Sequence, residues 1–392
     1  MGLLTKDGDI GYYPIGDKHV CSDCFADEYI KGFIESQAES LKCDFCGKES
    51  SEPIAADIDE VIEYILDCIS TEWGDPDDEG VPVEGGEYVW SVTDSYDLIQ
   101  YEIELDANPD VTEAIIQACG GRLWVKRDYR TADLMLSGWA LFVEEIKHHR
   151  RYFFGLDEDD RFSFDILPSK FLDRLGEEIS EYELSKTLTT SDIIYRARIH
   201  DPDVTLSNAS ELGPPPAELA VYPNRMSPAG IPMFYGSFDS ATVIKETYKA
   251  KKDRPAVVAI GKFKPLRELR LLDLTSLPDV PSIFDDNRGY LRPIISFLRA
   301  FVDEVSKPIE KDDESHIEYV PTQVFTEYIR HAYKFEDGSK FEGIIYPSSI
   351  QPSGISCVLF VENDQCCDKG VAERKWKPYI LALDDVERRT IA

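Results

Sequence analysis

Two short cysteine pairs constrain this chain more than any other feature. Cys21-Ser-Asp-Cys24 and Cys43-Asp-Phe-Cys46 are separated by 18 residues, within the spacing of a four-cysteine zinc site. Thiolates two residues apart on a tight turn can face one ion, and two such turns complete a tetrahedron. Gly47 follows the second pair, the residue that a turn of this kind favours. Four protein ligands leave no open position, so the expected Zn2+ is structural. A redox reading of either pair would not require the other. His19, just before Cys21, is either a substitute ligand or an ordinary histidine. The chain has nine cysteines, an odd number, which suits a reducing compartment better than a disulfide framework.

Downstream, the spacing of apolar residues sets the element types. Residues 26–40 carry Tyr29, Ile30, Phe33 and Ile34, the pattern of a short helix packed on the cysteine site. Ile58, Val61, Ile62, Ile65, Leu66 and Ile69 recur at helical spacing and predict an amphipathic helix. Residues 73–87 are acidic and rich in Gly and Pro, which predicts an exposed loop or hinge. Helical patterns return over 95–103, 110–119, 130–148 and 168–185. The basic run Lys147-His-His-Arg-Arg151 reads as a helix end favoured by the macrodipole.

From Asp192 the pattern shortens to strands. Ile193 to Ile199 alternates, with Arg196 and Arg198 on one face and Tyr195 and Ala197 on the other. Further strands are expected at 256–262, 271–274, 342–348 and 354–360, with helices at 290–301 and 322–332 and an acidic linker at 310–314. Cys68, Cys119 and Cys357 read as small core residues, and Cys366-Cys367 as exposed. The organisation is α+β multidomain: a four-cysteine knuckle over 1–50, a mostly helical domain over 51–190 and a mixed α/β domain over 191–392.

Composition narrows the partners. With 42 basic and 75 acidic residues the formal net charge is −33, so phosphate backbones and anionic lipids are repelled. Nucleic acid is therefore not an expected general partner, and the charge otherwise serves solubility. No apolar run approaches the ~20 residues that cross a bilayer. The opening Met-Gly-Leu-Leu-Thr-Lys has the build of neither a signal peptide nor a myristoylation site. A cytoplasmic protein is expected.

The stretch Asn224 to Thr247 brings the most chemistry together. Ser227-Pro-Ala-Gly230 is turn chemistry, Ile231 to Tyr235 a short apolar run, and Asp239 or Ser240 can cap the helix that follows. Glu246 lies away from that helix's most apolar face, and by itself it reads as a solvated surface residue. The set Arg225, Gly230, Tyr235 and Glu246, with Arg196 upstream and Ser348 in Ile-Ile-Tyr-Pro-Ser348 downstream, resembles the signature of the RES-domain family over about residues 190–365. The preceding half resembles the HEPN-type domain often fused to it. HEPN nucleases carry Arg-x4-His; here His148 and His149 have no Arg five residues earlier, and Arg196-x3-His200 has the wrong spacing. RNase activity is not expected.

The resemblance implies an ADP-ribosyltransferase-like fold that binds NAD+ and breaks its nicotinamide–ribose bond. Carried onto this sequence, it makes Glu246, Arg196 and Tyr235 the catalytic candidates and Arg196, Arg225, Tyr235 and Ser348 the NAD+-binding ones. Two arginines suit a pyrophosphate, a carboxylate suits an oxocarbenium-like ribose, and Ser348 suits a ribose or phosphate oxygen. The loop from Leu212 to Pro216 is longer than in compact RES domains. The implied role is a bacterial toxin or defence effector restrained by an antitoxin or regulatory protein, with water, phosphate or a protein as acceptor. The contrasting readings are a protein ADP-ribosyltransferase and a catalytically silent zinc-containing interaction module. An oligomer is left open.

Overall fold

The computed structural model describes residues 12–127, 132–152, 168–247, 256–307, 315–371, 374 and 376–391. The N-terminal stretch and the acidic segment 310–314 lie outside the described residues. By its contacts the chain forms two compact units: residues 1–133 with 279–296, and residues 134–278 with 297–392. Among the described residues, no helix is long and apolar enough to cross a membrane.

The first unit is built on three helices, α1 (Glu28–Gln37), α2 (Ile58–Ile69) and α3 (Pro109–Cys119), and on the paired strands β1 (His19–Cys21) and β2 (Ala55–Asp57). Each helix begins where a side-chain oxygen can satisfy free N–H groups. Asp27 accepts from Tyr29 and Ile30, Asp57 from Asp59 and Glu60, and Asn108 from Asp110, ahead of Pro109 in the first turn. The apolar stripe of α2 is fully inside the core, as its spacing predicts. Segment 279–296 completes this core with Ile283 and Phe284. Tyr64 donates to the Phe284 carbonyl at 2.7 Å, and Ser282 to Asp27 at 2.7 Å. Residues 73–87 are not all loop: Trp73–Gly74 pairs with Leu123–Lys126, and Val83–Glu84 pairs with Glu87–Tyr88. Trp73 is buried, which explains why this stretch is tied down.

The second unit is dominated by a nine-stranded mixed sheet. Its strands are β3 (Ser185–Leu188), β4 (Ile194–His200), β5 (Phe234–Ser237), β6 (Ala256–Pro265), β7 (Leu269–Asp273), β8 (Gly343–Pro347), β9 (Ile355–Leu359), β10 (Cys366–Asp368) and β11 (Leu381–Ile391). They lie in the order β10-β11-β6-β4-β5-β9-β8-β7-β3. Only β7–β8 and β10–β11 run parallel. On one face Phe234, Phe263, Leu271, Ile345 and Leu359 form the main core. On the other, the helix α4 (Ser240–Thr247) packs Val243 and Ile244 against Tyr195, Ala197, Val258 and Ile260. A separate aromatic cluster, Trp139, Phe142, Phe171, Phe297, Phe301 and Phe325, joins ring to ring with centroids 5.0–6.3 Å apart.

The expected exposure of one cysteine pair is corrected by the structure. Cys366 and Cys367 are buried, at 6% and 7% exposure, because β10 pairs with β11 and Cys366 lies beneath Gly213. The basic run at 147–151 does end a helical segment, and its charges are used there. Lys147 pairs with Glu318 at 2.7 Å, Arg150 with the buried Glu145 at 2.6 Å, and Arg151 donates to the carbonyls of Ile146 and Lys147.

Candidate active site and four-cysteine centre

Between β4 and β5 the sheet opens. The two strands share one registered pair, Ser237 with Tyr195, and beyond it they part. A parted antiparallel pair leaves backbone groups that must find other partners. Arg196 provides one: its Nη1 donates to the Tyr235 carbonyl at 2.7 Å and its Nε to the Leu212 carbonyl at 3.0 Å. Its guanidinium also lies 5.3 Å from the Phe234 ring centroid, and Arg198 donates to the Gly213 carbonyl at 3.1 Å. Burial, reinforced by the neighbouring Arg198 charge, brings the Arg196 guanidinium down to about 10. Arg196 therefore holds the split strands and the loop after Leu212 together.

The split forms the wall of a cavity of about 880 Å³ whose lining includes Arg196, Arg225, Tyr235, Glu246, Tyr319 and Tyr346. That volume lies in the range of small-molecule and cofactor sites. Tyr222, 81% exposed, stands among the residues at its rim. Tyr235 accepts from Met226 N–H at 3.2 Å and shares a 2.9 Å hydrogen bond with Ser227. Burial pushes its phenol up to about 12, so it stays protonated and can donate. Burial likewise raises Tyr346 well above the ordinary tyrosine value, with the Tyr235 and Glu246 charges adding to it.

Glu246 is carried on α4, whose first turn is capped by Asp239 accepting from Thr242 N–H at 2.7 Å. Of the two caps the sequence allowed, the structure uses Asp239. Glu246 is exposed at the cavity, and the Ser348 hydroxyl donates to its Oε1 at 2.5 Å. Ser348 is itself fixed by the turn after β8, where its hydroxyl accepts from Ile350 and Gln351 N–H at 3.3 and 3.1 Å. Residues 102 positions apart are thus joined in one pair. Ser349, not Ser348, is on the wall, and the Ser348 proton goes to Glu246, not outward to a ligand.

Arg225 reaches the same cavity from another direction. Its Nη1 and Nη2 donate to the carbonyls of Val305 and Lys307, at the C-terminal end of the helix Arg292–Ser306. A cation there satisfies carbonyls that have no partner within the helix and complements its dipole. Burial lowers the Arg225 guanidinium against the raising influence of Tyr346, Tyr319 and Glu246. The structure thus gathers Arg196, Arg225, Tyr235, Glu246 and Ser348 about one cavity. It adds Tyr346 and Tyr319, which the sequence reading left out. Tyr346 sits two residues before Ser348 on the same strand-to-turn segment, and its spacing was the available signal.

The four cysteines of the first unit also meet. Their sulfurs lie within 4.8 Å of one another, with Cys21–Cys24 at 3.9 Å, Cys21–Cys46 at 3.5 Å and Cys24–Cys43 at 3.7 Å. A tetrahedron with Zn–S bonds of ~2.3 Å has edges of about 3.8 Å, so the set fits a zinc ion. Gly47 takes φ +75° and its N–H closes the second turn on the Cys43 carbonyl at 3.1 Å. Burial holds the Cys21 thiol up at about 11 and raises Cys24 further. Burial also opposes ionisation of Cys43, yet backbone N–H groups of Cys46, Cys21 and Phe45 bring it down to about 7. His19 faces Glu39 at 3.2 Å and Asp44 at 3.8 Å, and is not part of the sulfur cluster.

A carboxylate, a hydroxyl, two arginines and two half-buried phenols thus meet around one cleft of a mixed α/β protein. Two family models match the chain: HEPN/RES N-terminal domain 1 over residues 36–160 and RES domain over residues 193–380. The chain therefore carries a RES domain preceded by a HEPN/RES N-terminal domain 1. Proteins of the RES domain family are generally NAD+-degrading toxins. No curated protein and no solved structure matches the chain.

Proposed function

We propose that this chain is an NAD+-consuming enzyme, a glycohydrolase or phosphorylase that cleaves the nicotinamide–ribose bond on an ADP-ribosyltransferase-like domain. The observation that carries the reading is Glu246 held by Ser348 at the cavity shared with Arg225, Tyr235 and Tyr346. In this reaction the C1′–N bond breaks and its electron pair passes to the pyridinium nitrogen, which becomes neutral. No proton is needed by the leaving group. The positive charge moves to the ribose as an oxocarbenium ion, and a carboxylate beside it stabilises the transition state more than the ground state.

Glu246 supplies that carboxylate, and Ser348 fixes its direction. Tyr235 and Tyr346, kept protonated by burial, offer flat faces and donors to the nicotinamide riboside half. Arg225 directs positive charge toward the pyrophosphate while capping its helix. Arg196 serves the site by bridging the split strands as well as by its charge. Water attacking C1′ gives ADP-ribose after loss of a proton, and inorganic phosphate gives its 1″-phosphate. The closed four-thiolate centre holds zinc as a structural ion through Cys21, Cys24, Cys43 and Cys46, outside the reaction. Such an activity in a host cytoplasm makes the chain a toxin or defence effector, restrained by a regulatory protein able to cover the cleft.

The test is NAD+ consumption by the purified chain with and without phosphate, beside Glu246→Ala. Turnover that falls by about 10²–10³-fold in the variant supports the reading, and the product identifies the acceptor. A folded, zinc-loaded wild type that leaves NAD+ intact, alone and with candidate acceptor proteins, overturns it in favour of a silent interaction module.

A further inference from the structure

On the sheet face beneath α4, the register places Ser356 between Ser237 of β5 and Tyr346 of β8, directly opposite both. Directly opposed residues on an antiparallel pair have Cβ atoms ~4.5–5.5 Å apart and share a face. Ser356 lies on the cavity wall and is 3% exposed. Its Oγ has no hydrogen-bond partner among the described residues. Its neighbour Ser237, fully buried on the same face, is already committed, donating to the Ile355 carbonyl at 2.7 Å. A buried hydroxyl without a partner destabilises the free protein, and a ligand that bonds it removes that cost.

We propose that Ser356 recognises the carboxamide of the nicotinamide ring. The inference rests on the reading of the cleft as an NAD+ site and deepens it. The cleft around Ser356 is shared by Tyr235, Tyr346 and Glu246. With Glu246 beside C1′, the base attached to C1′ occupies the adjoining space over Tyr235 and Tyr346. A carboxamide carries both an acceptor and two donors, and a serine hydroxyl can serve either role. Ser356 is a binding residue: it grips the base equally before and during bond cleavage, which raises affinity without changing the chemical step.

The test compares nicotinamide with pyridine, which lacks the carboxamide, on wild type and Ser356→Ala by calorimetric titration, and follows NAD+ kinetics in parallel. The wild type is expected to prefer nicotinamide by about tenfold and the variant by less than about twofold. KM for NAD+ rises about 5–10-fold with kcat within about twofold. Because the hydroxyl is unpartnered, the free variant melts at the same temperature or about 1–3 °C higher. An unchanged nicotinamide preference in a variant of a wild type that consumes NAD+ overturns this inference alone. A fall of several degrees in the free variant also overturns it, since the hydroxyl then has a structural partner such as an internal water. A wild type that neither binds nor consumes NAD+ overturns the reading of the cleft and this inference with it.

Discussion

Ser348 can act in two ways, and a double-mutant cycle with Glu246 separates them. If it bonds the ligand, removing it costs the same whatever stands at 246. If it orients Glu246, as the 2.5 Å contact indicates, its value depends on the carboxylate. A hydrogen bond to a charged group contributes ~1.5–3 kcal/mol when shielded. Glu246 is exposed and water competes for it, so about 1 kcal/mol is the appropriate figure here. That corresponds to about a fivefold loss of kcat/KM for Ser348→Ala. Glu246→Ala is expected to cost about 10²–10³-fold. In the double variant the serine should add almost nothing, giving a coupling energy of about 1 kcal/mol. The assay is steady-state NAD+ consumption followed by nicotinamide release. An additive cycle, with Ser348→Ala still costing fivefold in the Glu246→Ala background, refutes the orienting role and returns the serine to direct ligand contact.

Three further outcomes are expected. Purified chain should carry about one zinc ion, and Cys43→Ser should lose it and lower the melting temperature of the first unit, read by metal analysis and calorimetry. Asp239→Ala removes the cap of the helix bearing Glu246 and should cost about 1 kcal/mol in denaturant unfolding. Burial acts to raise the Asp239 carboxyl, but the hydrogen bonds from Thr242 and Ala241 bring it below its ordinary value. Its contribution is therefore complete above about pH 4 and is lost as pH falls through the lowered value, a dependence that Asp239→Asn should flatten. Gly236→Ala places a Cβ 2.6 Å from Ile194 Cγ2 and 2.9 Å from the Tyr195 carbonyl oxygen, at the last pairing before the split. It should destabilise by about 1–3 kcal/mol.

Local rules read well wherever a side chain's role is set by its near neighbours in sequence. The two cysteine turns, the α2 stripe and the choice of Asp239 or Ser240 as a cap depend on spacings of a few residues. The strand at Phe234–Ser237 was expected slightly earlier, at 231–235, because Ile231 and Met233 are as apolar as the strand itself. The strand β11 escaped notice because Asp384, Asp385, Glu387, Arg388 and Arg389 mask its alternation. Across the sheet those charges are partly paired, Lys262 with Asp385 at 2.9 Å and Lys264 with Asp384 at 3.2 Å. The candidate residues were legible as a set, from their order and spacing. Their division of labour was not. Arg196 and Arg225 look alike on the page, yet both spend their donors on backbone carbonyls whose exposure depends on where strands part and a helix ends. Ser356 gave no signal at all, since an unpaired hydroxyl is defined by what surrounds it.

The 279–296 segment of the first unit has a consequence during synthesis. Ile283 and Phe284 belong to the core built by α2 and α3, but about 150 residues are made between the end of the first portion and this segment. At ~5–20 residues per second, the ribosome takes about 7–30 s over that interval. The four-cysteine centre and its helices therefore emerge as an incomplete body, with apolar surface awaiting a piece encoded far downstream. Chaperone demand and early metal capture should both peak in that window, and a chain stalled before residue 279 should be cleared as unfinished.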